Sequence, residues 1–129
     1  MQIFKTKWFK RFARKEGLSD KKLADAVQEV ENGLHDGALG GNLIKKRVAR
    51  TGEGKRGGYR TIIVYRAKSR VVFVYGFQKS TKANLNAEEL DTYQKMAQIY
   101  LSFSDADIAK ALNAGELEEV NYNGEKISE

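Results

Sequence analysis

Two short runs constrain this chain more than anything else in it. In TIIVY (61–65) and VVFVY (71–75) both alternating positions are apolar or aromatic. A strand with one wet face alternates apolar with polar residues, so a run that is apolar on both faces must be covered on both sides. The pair therefore predicts two central strands, 59–66 and 70–77, joined by a turn at 67–69. A sheet covered in this way needs other elements packed on it, and the candidates in this chain are helices.

Those helices are legible on either side of the pair. Residues 2–6 alternate around Ile3 and Phe4 and read as a short edge strand. Trp8, Phe9, Phe12 and Ala13 recur at helical spacing between Lys and Arg, and Gly17 ends that helix. Ser19 reads as an N-cap with Asp20 in the first turn, and Leu23, Ala24, Val27, Val30 and Leu34 share one helical face. A glycine-broken loop (35–42), a short basic strand (43–49) and a flexible stretch (50–58) lead into the central pair. After a loop at 78–85, Asn86 caps a long helix with the stripe Leu90, Tyr93, Ala97, Tyr100 and Leu101. Ser104 caps another helix, which Gly115 ends, and 116–122 is a short strand or extended segment. Trp8, Phe9, Phe12, Tyr93 and Tyr100 read as core.

The order β-α-α-β-β-β-α-α predicts an α+β fold. Its sheet is small and antiparallel-dominated, with the last three strands as a meander and helices packed on it. The chain of 129 residues reads as one domain over 1–122 with a polar tail, 123–129. It has no cysteine, no apolar leader core and no run near the ~18 residues of a membrane span, so the expectation is a cytoplasmic protein without a membrane partner.

Charge is distributed unevenly. From Lys45 to Lys82 there are twelve Lys/Arg and one acid, Glu53; the first fifteen residues add six cations and no acid; from Ala83 onward three cations face ten acids. A solvated surface mixes the signs, and a block this one-sided points to a polyanion, nucleic acid first. Lys45, Lys46 and Arg47 fall on the first meander strand and Arg60 and Arg66 on the second. Lys79 and Lys82 lie just past the third, and Lys55 and Arg56 in the glycine-rich loop. Strands are about 4.8 Å apart, so cations on neighbours can converge on one phosphate. Arg60 shares its alternation with Ile62 and Val64. Such a charge either has a partner to bind or sits at the strand end and snorkels to water. Tyr59, Tyr65 and Tyr75 are interleaved with these cations and can stack bases or fill the core.

Other chemistries lack material. His35 is the sole histidine, in a Gly/Asp loop without a metal partner, and triad or metal hydrolysis needs several convergent ligands. The loop 52–58 lacks the phosphate-loop spacing. Acidic pairs such as Glu88-Glu89 and Glu118-Glu119 read as plain solvated charge.

The runs KRGGYRTIIVYR (55–66) and VVFVYGFQKSTKANL (71–85) resemble the RelE/HigB toxins of bacterial toxin–antitoxin pairs. That family has a G-x-R strand start, a hydrophobic strand, and a K-S-x-K/R cluster before the next helix. FKTKWF (4–9) and LNAGELEEV (112–120) also resemble one branch of it. The resemblance implies a messenger-RNA endoribonuclease, free or on the ribosome, without a cofactor. Its partner would be an antitoxin carrying a helix-turn-helix domain. On matching positions Arg60 contacts the scissile phosphate, Lys79 and Lys82 form the cluster beyond the third strand, and Lys45, Lys46 and Arg47 match the lysines of the first meander strand. Lys82 stands where relatives often have arginine, and the histidine acid of some related ribonucleases has no counterpart. RNA supplies its own nucleophile, the 2′-hydroxyl. A lysine crowded by cations has a depressed pKa and can serve as base, which makes Lys79 and Lys82 the candidates. Two other readings stay open: a ParE-like toxin acting on DNA gyrase, and a nucleic-acid-binding module without turnover.

Overall fold

The computed structural model describes residues 1–49 and 58–121. Its axis is the expected central pair. β4 (Tyr59–Arg66) and β5 (Arg70–Gln78) run antiparallel from Tyr59↔Gln78 to Arg66↔Arg70. β3 (Leu43–Val48) adds antiparallel to β4, completing the meander. β1 (Gln2–Thr6) lies parallel to β5, and β6 (Leu117–Glu119) antiparallel to β1. With β2 (Gly37–Gly40) on β3, the sheet order is β2-β3-β4-β5-β1-β6. This is an α+β fold with a mostly antiparallel six-stranded sheet.

Four helices among the described residues cover both faces: α1 (Lys7–Glu16), α2 (Asp20–Glu31), α3 (Ala87–Ser102) and α4 (Asp105–Asn113). The predicted caps are present. Ser19, Asn86 and Ser104 accept from the third residue of their helices, and Gly17 closes α1 with a left-handed backbone. α1 and α2 bury Phe9, Ala13, Leu23, Val27 and Val30 against Ile3, Ile44, Ile63, Val71 and Phe73. α3 and α4 bury Ala97, Leu101, Ile108 and Ala111 against Phe4, Leu43, Ile62, Val64 and Val72. Burying each large side chain contributes about 1.5–3 kcal/mol, so this double cover is what the two apolar runs demanded.

One irregularity shapes the end of the sheet that holds Tyr59 and Gln78. Ile62 pairs with Tyr75 and Ile63 with Phe73, so Val74 is a bulge residue. The slip keeps Val74, Tyr75 and Phe77 on the α3 side and turns Gly76 toward α1. A Cβ on Gly76 would stand 2.5 Å from the Phe12 ring, so only glycine lets α1 sit this close to β5.

Four expectations are corrected. β1 is interior, because the C-terminal segment returns as β6 and covers its outer side. The loop 35–42 contains the edge strand β2, whose pairing comes from β3 and not from side-chain pattern. Leu34 is 60% exposed, because α2 ends at Glu31 and frees it from the apolar face. Trp8 is not core: it is 45% exposed, lying across Tyr75 and Phe12 at the rim of the sheet. The loop cations Lys55 and Arg56 and the tail 123–129 lie outside the described residues.

Candidate functional site

Strand alternation sorts the cations of β3. Leu43 faces α3 and Ile44 faces α2, so Lys45 and Arg47 follow Leu43 while Lys46 and Val48 follow Ile44. On β4 the α3 side carries Arg60 and Ile62. Register then sets Arg47 directly opposite Arg60, Arg60 opposite Phe77, Lys45 opposite Ile62, and Ile62 opposite Tyr75. α3 begins only at Ala87 and packs on the far half of this face, through Ala97 and Leu101. At the end with the cations Arg60 and Phe77 are both buried, and α3 reaches Tyr75 through Tyr93.

Arg60 is the centre of this arrangement. It is only 5% exposed, and its Nη1 is buried with no hydrogen-bond partner. It does not snorkel to water. Burial, and then the neighbouring Arg47, push its pKa below the usual arginine value, with Asp36 partly offsetting them. Like charges directly opposite across strands are destabilising, and a buried donor without an acceptor costs more. Asp36 is the local counter-charge: its carboxylate accepts from the Arg47 backbone at 2.6 Å and stands 3.5 Å from Arg47 Nε. It spends itself on Arg47 and gives Arg60 Nη1 no hydrogen bond.

A family model for the RelE toxin of RelE/RelB toxin–antitoxin systems matches residues 1–120. The chain belongs to the RelE toxin family. No curated protein matches it. As a RelE toxin it is one half of a toxin–antitoxin pair, with a cognate antitoxin as partner. None of its described helices is long and apolar enough to cross a membrane.

In this RelE toxin the segment after β5 is tied back over the cationic face. Lys45 Nζ donates to Asn84 Oδ1 at 3.0 Å. Lys82 pairs with Glu89 and lies 5.6 Å from the centre of the Tyr75 ring. Glu89 is itself held by the α3 capping box, its other oxygen accepting from the Asn86 backbone at 3.0 Å. The expected depression of Lys82 by crowding cations does not occur. The hydrogen bond to Glu89 raises Lys82, and the same bond, then the Asn86 backbone, lowers Glu89. Lys79 is exposed in the turn beyond β5.

Changing Glu89 to Gln tests this pairing. Glu89 is depressed, so the pair is complete above the ordinary carboxylate range and is lost only as pH falls through the lower folded value. Lys82 is raised, so the pair persists below the ordinary lysine range and is lost only as pH rises through the higher one. The variant is expected to move Lys82 titration back toward the ordinary lysine value, read by NMR of its ε-methylene; an unmoved titration would show that Glu89 does not hold Lys82.

Two of the predicted RNA contacts go elsewhere. Lys46 faces α2, is 3% exposed, and bonds Glu29 Oε1 at 2.7 Å and the Leu34 carbonyl at 2.8 Å. It is a buried structural ion pair, because strand alternation puts it opposite Lys45 and Arg47. Arg66 is exposed at the other end of β4, about 20 Å of strand from Arg60. His35 is exposed, and its Nδ1 accepts from the Gly37 backbone at 3.2 Å. No group of three or more metal-ligating side chains occurs among the described residues. Sequence reasoning passed over Glu89 as solvated charge, although the Asn86-x-x-Glu89 spacing is that of a capping box.

Proposed function

We propose that this RelE toxin is an endoribonuclease that cleaves messenger RNA. The observation that carries this reading is Arg60: a buried guanidinium with an unpartnered Nη1, directly opposite Arg47 and on the same face as Lys45. That arrangement suits a scissile phosphate. The 2′-hydroxyl attacks the adjacent 3′-phosphate in line, and Arg60 binds the non-bridging oxygens where charge builds. Arg47, Lys45 and the exposed Lys79 hold flanking phosphates.

The Lys82–Glu89 pair supports a division of the proton transfers. Lys82, held as an ammonium, donates to the leaving 5′-oxygen. Glu89, held as a carboxylate and fixed by the capping box, accepts the 2′-hydroxyl proton. The P–O5′ bond breaks as the P–O2′ bond forms, giving a 2′,3′-cyclic phosphate and a 5′-hydroxyl. The ribosome would present the messenger strand, and the antitoxin would cover the cations with an acidic or amphipathic segment and carry a helix-turn-helix domain.

Mapping transcript 5′ ends after induced expression tests the reading. New internal 5′-hydroxyl ends are expected. Intact transcripts with DNA breaks would select action on gyrase, and intact transcripts with bound toxin would select a module without turnover.

A further inference from the structure

A second feature lies around the corner of β5 from Arg60. β1 pairs with β5 only as far as Lys5↔Phe73, so β5 runs on past its neighbour. Between this free end and α1 opens a cleft of about 450 Å³, lined by Trp8, Arg11, Phe12, Lys15, Gly76 and Gln78. That is within the ~300–1,000 Å³ range of small-molecule sites. Its apolar wall is continuous with the catalytic face. Phe12 stacks on Trp8 (centroids 5.4 Å apart), Trp8 meets Tyr75 at a tilt of 41° (4.8 Å), and Tyr75 stacks on Tyr93 (5.0 Å), with Lys82 beside Tyr75. A tryptophan 45% exposed is an unfavourable surface residue unless it meets something.

The rim is cationic. Lys5 and Lys10 are bound by Asp20 and Glu118, whereas Arg11 and Lys15 are exposed and no described carboxylate pairs with them. The cleft's own carboxylate, Glu16, is turned into the fold, its Oε1 accepting from Tyr59 at 3.0 Å and Gln78 at 3.1 Å. An aromatic wall beneath free cations is the recognition chemistry of a single-stranded nucleotide: base on ring, phosphate on cation.

We propose that this α1–β5 cleft is a second RNA subsite, holding a nucleotide that flanks the scissile phosphate, its base against Trp8 and its phosphate between Arg11 and Lys15. The proposal rests on the nuclease reading and extends it to a strand path that turns from the Arg60 face, past Tyr75, onto α1.

Trp8 is the sole tryptophan, so intrinsic fluorescence reports the cleft. The purified full chain is titrated with a 2′-O-methyl hexaribonucleotide, which cannot be cleaved. A saturable change in emission is expected. Changing both Arg11 and Lys15 to Ala, at exposed positions, weakens Kd on the order of tenfold. It also lowers the slope of log K against log salt by about 0.7, for the one single-strand phosphate that the two cations no longer neutralise. The Trp8 variants lack that fluorophore and are read by anisotropy of the same oligonucleotide carrying a fluorescein label: Trp8→Ala weakens Kd on the order of tenfold, and Trp8→Phe restores it to within about twofold by keeping the ring contact. An unchanged Kd in the double variant and in Trp8→Ala overturns the subsite. So does an emission change produced by an antitoxin peptide and never by the oligonucleotide. The two readings fail separately: Arg60→Ala that still binds in the cleft without cleaving upholds both, while wild-type protein that binds there yet leaves transcripts whole on induced expression, with ribosomes present, overturns only the nuclease.

Discussion

Arg60→Ala is expected to lose about 10²–10³-fold in RNA cleavage, the cost of removing one preorganised donor to a developing oxyanion. The loss is read as the rate of 5′-hydroxyl end formation and as release from growth arrest. Thermal stability is expected to hold or rise, by up to roughly 1 kcal/mol or ~4 °C, because the variant relieves the Arg47–Arg60 opposition and a buried donor without an acceptor. A catalytic residue that is costly to the fold loses activity and gains stability together when removed. A variant that cleaves like the wild type removes Arg60 from the mechanism.

The second large effect separates Lys46 from its neighbours. Glu29→Ala is expected to destabilise the protein by about 2–3 kcal/mol, because it leaves the Lys46 ammonium, 3% exposed, with its carboxylate gone. The figure stands below the ~3–5 kcal/mol of fully buried broken pairs because Glu29 itself is 34% exposed. Lys46→Met is expected to cost within about 1 kcal/mol, since the apolar side chain fills the same space and Glu29 can hydrate. Urea unfolding measures both. Lys46→Met is also expected to cleave RNA at the wild-type rate; loss of cleavage at unchanged stability would put Lys46 back on the RNA.

The fold was legible where a residue's own neighbours in sequence decide its conformation. The caps at Ser19, Asn86 and Ser104, the stop at Gly17 and the three meander strands expected at 43–49, 59–66 and 70–77 rest on local hydrogen bonds and period-two pattern, and all stand in the structure. β2 escaped because Gly37–Gly40 has no alternating pattern and takes its order from β3. Trp8 was misread because helical spacing reports which face a residue lies on and not where the sheet beneath it ends.

The candidate site divides along the same line. Sequence alone singled out Arg60, because a charge among Ile62 and Val64 demands a reason, and it gathered the cations into one block. It had no means of parting Lys46 from Lys45 and Arg47, since the face a strand residue takes is settled by which helix packs on which side. Nor did the crowding of lysines reveal the sign of the shift on Lys82, which is set by Glu89 on another element. Composition and alternation determined a basic, doubly covered sheet in this RelE toxin. Only tertiary packing decided which of its cations are paired and which one, Arg60, is buried with a donor that has no acceptor, because burial and pairing are properties of residues far apart in the chain.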